Sequence, residues 1–137
     1  MSRDDEAGAV AAATYFLTEL YTYTLTSQDT TAWLAMSHEE CIYCGGVATA
    51  VEAERAASVV TVPGILVVRG ATAETLNSLT LGVQVEVSVG KATQWSHAGE
   101  QIRELPAEAA TMGAIVVWHQ DRWIVRGVDV LATESSV

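Results

Sequence analysis

The stretch LGVQVEVSV, residues 81–89, decides the fold class of this chain, because it alternates strictly between two kinds of residue. Leucine or valine occupies each odd-numbered position, and a small or polar residue occupies each even-numbered one. A period of two is typical of a β-strand that buries only one of its faces. One-sided burial is usual in antiparallel sheets that are covered on one side. The stretch therefore predicts a strand of such a sheet.

The other predicted strands lie on both sides of this stretch, in the second half of the chain. Residues 59–69 are rich in β-branched residues, but Pro63-Gly64 interrupts them, which indicates an edge position or a bulge. Residues 101–105 predict a short strand. Residues 114–119 and 122–131 flank Gln120-Asp121 and predict a terminal β-hairpin. We expect four or five antiparallel strands.

The first half of the chain has helical periodicity instead. Residues 7–25 place Val10, Ala13, Leu17 and Leu20 on one face of a long helix. Asp29 is a candidate N-cap for a short second helix, and a third runs from about residue 41 to 58. The predicted fold class is α+β, with three N-terminal helices packed on a curved antiparallel sheet. We predict a disordered lead-in at residues 1–6, one domain at 7–132 and a frayed tail at 133–137.

The composition excludes two classes of partner. Seventeen acidic residues outnumber seven basic ones, which gives a net charge of −10, and Lys91 is the single lysine. Such a surface repels phosphate backbones and anionic lipid headgroups, so we expect no nucleic acid partner. No run of 18 or more apolar residues is present, so we expect no direct membrane insertion by this segment.

The order of the predicted elements resembles the cone-shaped, cystatin-like fold shared by nuclear transport factor two, ketosteroid isomerase and polyketide cyclases. Residues 28–44, QDTTAWLAMSHEECIYC, are similar to an uncharacterised family of actinobacterial secreted proteins and lipoproteins. In that family a long helix leads to an Asp-Thr-Thr helix start, a serine, an acidic turn and a Cys-x-x-Cys pair. The resemblance implies an extracytoplasmic protein, secreted or lipid-anchored through an N-terminal segment that has been removed, with a cytoplasmic location as the alternative. It implies no catalytic residues, because the family has no assigned activity.

Cys41 and Cys44 lie three residues apart at a helix start. In a helix their Cα atoms would be about 5 Å apart, within the range that a disulfide accepts. A redox-active dithiol is an alternative, although no strand precedes the pair as in thioredoxin-like motifs. Free thiols are another, and so is a zinc site with His38, which would need a further ligand. We favour a structural disulfide.

Four aromatic residues are candidates for a ligand-binding pocket in the mouth of the cone: Tyr21, Trp33, Trp95 and Trp118. Ordinary core packing is the alternative reading for the tryptophans. Residues 115–118 are apolar on both faces of their strand, so we expect that a second copy of the chain covers the outer face, as in a homodimer through the sheet.

The sequence assigns no catalytic residue, cofactor or metal, because its three histidines are scattered and form no ligand motif. These observations predict a non-enzymatic extracytoplasmic domain that binds a partner protein or a small apolar ligand. The alternative is a small-molecule isomerase, cyclase or hydratase that uses the cone as its active site. Its candidate acids would be Glu86 and Asp129, which lie on predicted strands.

Overall fold

The computed structural model describes residues 4–135 and confirms the α+β class. Helix α1 (Glu6–Tyr15), a π-helical segment (Phe16–Leu20) and helix α2 (Tyr21–Ser27) follow one another without a break, because every junction residue keeps helical dihedral angles. We call these three segments together the long helix. Helices α3 (Thr31–Ala35) and α4 (Ile42–Ala56) complete the predicted set of three.

The ends of the domain extend beyond the predicted boundaries. The long helix begins at Glu6, and its start is capped by Asp5, whose Oδ1 accepts a hydrogen bond from the Gly8 N–H at 2.9 Å. The last strand continues to Ser135, although the prediction placed a frayed tail from residue 133. Residues 1–3 and 136–137 of the predicted lead-in and tail lie outside the described residues.

Within residues 4–135, seven strands form two antiparallel sheets, where the sequence had predicted four or five strands in a single sheet. The small sheet has the order β1-β4-β5 and the large sheet has the order β2-β3-β6-β7. The strands are β1 (Val59–Val62), β2 (Leu66–Asn77), β3 (Thr80–Val89), β4 (Ala92–Ser96), β5 (Gln101–Leu105), β6 (Glu108–His119) and β7 (Arg122–Ser135).

The interruption at Pro63-Gly64 lies between two strands that are each at the edge of a sheet, and it is not a bulge within one strand. There the chain leaves the small sheet at Val62 and enters the large sheet at Leu66. A Cβ atom on Gly64 would lie 2.5 Å from the carbonyl carbon of Gly90, so only glycine permits the two backbones to approach this closely. The predicted strand at residues 59–69 is therefore two strands in different sheets.

The core lies between the large sheet and the long helix. The alternation predicted for residues 81–89 is confirmed, since Leu81, Val83, Val85 and Val87 are buried while the side chain of Gln84 is exposed. From the helix side, the buried residues that meet this face are Ala9, Ala12, Ala13, Phe16, Leu17 and Leu20. Alanine at three of these positions lets the helix lie close to the sheet.

Trp33 joins the three helices at one end of this core. Its side chain is fully buried, and its ring stacks on Phe16 with ring centroids 3.8 Å apart. Its indole Nε1 donates a hydrogen bond to the carbonyl oxygen of Cys44 at 2.9 Å. The only polar group of this large side chain is thereby satisfied, as burial requires.

The predicted disulfide between Cys41 and Cys44 is confirmed. Both residues are buried, and the Sγ of Cys41 also accepts the Cys44 N–H at 3.2 Å, which caps the start of α4. The crosslink thus holds the first turn of α4, where two glycines, Gly45 and Gly46, weaken the helix.

Replacement of the disulfide by Cys41→Ser with Cys44→Ala is expected to lower the free energy of unfolding by about 2 kcal/mol, the loop-closure entropy of so short a loop. The serine hydroxyl keeps a capping acceptor at the N-terminus of α4. Urea unfolding with and without a reductant measures the difference. The reductant should destabilise the wild-type protein by a similar amount and leave the variant unchanged. Equal sensitivity of both proteins would contradict a structural role.

Candidate functional site

A small cleft lies between α2, α4 and the small sheet, and we call it the Tyr21 cleft. Its volume is about 210 Å³, which is below the range of roughly 300–1,000 Å³ usual for small-molecule sites. Its lining is mainly apolar, and the polar groups in it belong to Tyr21, Glu54 and Thr61. The apolar lining residues are Leu25, Val47, Ala50, Val51 and Leu105.

The carboxylate of Glu54 is held by a hydrogen-bond network across the small sheet. The Thr61 hydroxyl donates to its two oxygens, each at 2.9 Å, and the Gln94 amide donates to one of them at 3.3 Å. Arg103 Nε in turn donates to the Gln94 carbonyl oxygen at 3.1 Å. The sequence reasoning missed this network. Its one local signal is spacing, because residues 47, 51 and 54 fall on the same face of α4.

Two tyrosines beside the cleft have raised pKa values. Burial is the main cause for Tyr21, and the negative charges of Glu54 and then Glu108 raise its pKa further. Burial also raises the pKa of Tyr43 strongly, with a smaller effect from Tyr21. Both phenols therefore stay neutral well into the alkaline range.

The four predicted ligand-binding residues do not converge on one site. Tyr21 lines the cleft, and Trp33 lies behind it in the core. The centroids of the Tyr21 and Trp33 rings are 6.1 Å apart. Trp95 follows Gln94 in β4, so it points to the opposite face of the small sheet from Glu54. Trp118 packs edge-on against Trp123 in the β6–β7 hairpin, with ring centroids 5.2 Å apart.

The two candidate acids of the alternative function do not line the cleft. Glu86 and Asp129 are exposed on the outer face of the large sheet. Their register partners on the neighbouring strands are Gly70 and Gly113. His97 is engaged elsewhere, with its Nε2 3.0 Å from the Gln28 Oε1. Within residues 4–135, no group of three or more His, Cys, Asp or Glu side chains is placed to hold a metal ion.

A second hollow is wider and opens at the surface, between the long helix and the edge strand β2. It consists of two parts of about 660 and 730 Å³ that share Thr14, Thr18 and Glu19, and we call it the helix–strand groove. Its remaining lining consists of Glu6, Ala7, Val10, Ala11, Tyr15, Thr22 and Tyr23 from the helix, Pro63, Gly64 and Ile65 from the crossing segment, and Leu66, Val68, Ala71 and Ala73 from β2.

The outer face of the large sheet carries a mixed surface. Leu76, Ile115 and Leu131 expose 50%, 40% and 52% of their surface, and Glu74 and Asp129 lie among the residues that line a shallow hollow here. Val116, which follows Ile115 in β6, is fully buried in the core on the inner face of the sheet. Both faces of this part of the sheet are therefore apolar. No helix within residues 4–135 has the length and hydropathy that crossing a bilayer demands.

Comparison with known proteins identifies a shared fold and no family. No family model matches the chain, and no curated protein sequence matches it. The intermembrane space region of the chloroplast protein ARC6 superposes with a TM-score of 0.69 and 12% identity, over 95% of this chain and 98% of that one. Aln2 from a Streptomyces species superposes with a TM-score of 0.57 and 11% identity, over 93% of both chains.

A protein of unknown function with a cystatin-like fold from Nostoc punctiforme gives a TM-score of 0.45 and 10% identity, over 95% of this chain and 90% of that one. The likeness in fold rests on the first two structures. At these identities it extends to the arrangement of helices and strands and not to any activity.

The tyrosines predict a loss of stability at alkaline pH. Below pH 10 both phenols are neutral in the folded and unfolded chain, and above it the unfolded chain ionises first, so stability falls as pH rises. Two of the four tyrosines should titrate late when tyrosinate absorbance is followed. In Tyr21→Phe with Tyr43→Phe, the melting temperature should fall less steeply above pH 10. An unchanged slope would contradict this account.

Proposed function

We propose that this chain is a non-enzymatic extracytoplasmic domain that binds a partner protein. One observation carries the proposal: the interior between helices and sheet is filled by side chains, among them the fully buried Trp33. The Tyr21 cleft is smaller than small-molecule sites usually are, while the larger helix–strand groove lies open along the surface. This distribution favours recognition of a macromolecular segment over enclosure of a small apolar ligand.

The disulfide supports the proposed compartment. Disulfides persist in oxidising environments and are rare in the cytosol, and Cys41–Cys44 accounts for both cysteines of the chain. The ARC6 region that shares this fold is, by its description, an intermembrane space region. The similarity of residues 28–44 to actinobacterial secreted proteins and lipoproteins agrees with export. We propose further that the fold is the cone of nuclear transport factor two and its relatives.

A second candidate function follows from the Tyr21 cleft. An isomerase or cyclase needs an acid and a neutral donor in one site, and Glu54 and Tyr21 share this lining. Against this function, the Glu54 carboxylate already accepts hydrogen bonds from Thr61 and Gln94. A base with these partners is less available for proton transfer.

Native mass spectrometry of protein purified without reductant, combined with cross-linking in the host cell, tests the two functions. We expect the mass of the disulfide form, no small-molecule adduct, and a cross-linked partner protein. Tyr21→Phe and Glu54→Gln should leave the cross-link unchanged, because the cleft is not the binding surface. The same spectra report the number of subunits and so test the expected homodimer.

Three results would overturn the proposal or part of it. A co-purified small molecule that is lost in Glu54→Gln would favour the cleft as a ligand site. Turnover of a substrate at a rate set by Glu54 would establish the enzyme. Two free thiols, alkylated under denaturing conditions, would place the chain in the cytoplasm.

A further inference from the structure

We propose that the free edge of β2 binds an extended, lysine- or arginine-bearing segment of a partner protein, which adds a fifth strand to the large sheet and lies in the helix–strand groove. This inference rests on the proposed function, since it names the surface and the chemistry through which a binding domain of this shape takes its partner.

Strand β2 has one unpaired edge. Strand β2 pairs with β3 on one side and is the last strand of the large sheet on the other. Within the described residues, the backbone of residues 66–76 is bonded through its pairing with β3, and no turn or loop hydrogen bond reaches it. An edge of this length offers a row of free N–H and C=O groups, which is a template for an added strand.

The helix–strand groove provides space beside that edge. On the sheet side the groove is lined by Ala71 and Ala73, and on the helix side by Ala7 and Ala11. Four short side chains leave room for the side chains of an added strand. Residues 66–73 of β2 span about 23 Å, at roughly 3.3 Å per residue. The groove therefore accommodates about seven residues, with alternate side chains directed into it.

The charged side chains of the groove are acidic. Glu6 and Glu19 are the charged residues that line the groove, and no lysine or arginine of the described chain lines either part. Glu19 lies in the segment that both parts share, so a cation opposite the middle of β2 meets a carboxylate. A second copy of the chain is a poorer occupant, because each copy carries a net charge of −10.

Exposed apolar side chains lie at one end of the groove. Ile65 is 82% exposed, and Tyr23 and Val68 are 49% and 37% exposed beside it. Apolar surface of this kind marks an interaction site when it is contiguous with a groove. The segment we expect is therefore extended, apolar at the end near Tyr23, and basic opposite Glu19.

Selection of a random nine-residue peptide library on the disulfide-intact chain tests this inference. Enriched peptides should alternate apolar with polar residues and carry at least one lysine or arginine. Resynthesised peptides should slow amide hydrogen exchange at residues 66–76 when bound. The variant Ala11→Trp, which fills the groove from an exposed position, should weaken binding about tenfold or more. The matched control Ala53→Trp, exposed on α4, should bind as the wild type does.

Two charge-neutralising variants test the predicted attraction between Glu19 and a basic residue of the bound segment. Glu19→Gln should weaken lysine-bearing peptides about threefold at low salt and less at high salt, because the pair is exposed. Glu52→Gln, exposed on α4, should have no effect. Circular dichroism confirms that each variant is folded.

The outcomes separate this inference from the proposed function. Peptides that bind Ala11→Trp as tightly as wild type, or that protect the outer face of the large sheet, overturn the β2 edge and leave a binding domain. A dimer that protects residues 66–76 assigns the groove to a second copy and overturns it too. If no peptide is enriched while a partner still cross-links in cells, the edge is wrong. If no partner cross-links at all, the proposed function itself fails.

Discussion

The structure depends on one buried side chain, that of Trp33. Its ring packs on Phe16 of the long helix, and its indole N–H binds the backbone of α4 at Cys44, so a single residue fixes three helices against each other. A buried indole without its acceptor would cost a desolvation penalty of about 1–3 kcal/mol. Because the Cys41–Cys44 disulfide holds the turn that supplies this acceptor, the covalent link and the aromatic core support each other.

A filled interior also determines where a partner is able to bind. Trp33 and its neighbours occupy the space beneath the sheet, and the Tyr21 cleft is small. The open groove has a different origin, namely the alanines and threonines along the outer side of the long helix and the alanines of β2. Large apolar residues at these positions would have closed the groove onto β2. The choice of small side chains therefore keeps one edge of the large sheet accessible.

Local patterns predicted the parts of the fold that depend on neighbouring residues. The alternation in residues 81–89 indicated the buried face of β3, and the spacing of Cys41 and Cys44 indicated the disulfide. The second half of β2 was not predicted, because its inward-facing residues, Ala71 and Ala73, are alanines, which favour a helix over a strand. The contact of Gln28 with His97 had no sequence signal, since 69 residues separate them. The candidate site was the part least predictable from the sequence, because its residues come together from distant positions in the chain.

The position of the small sheet in the chain has a consequence for how the protein folds. Strands β3 and β6 pair across the large sheet, and the segment between them contains the β4–β5 hairpin, whose ends meet at Ala92 and Leu105. Once that hairpin has formed, the loop that must close for β3 and β6 to pair shortens from about eighteen residues to a few. This lowers the entropic cost of closing the loop by about 1 kcal/mol. The β4–β5 hairpin thereby favours the pairing of β3 with β6 in the large sheet.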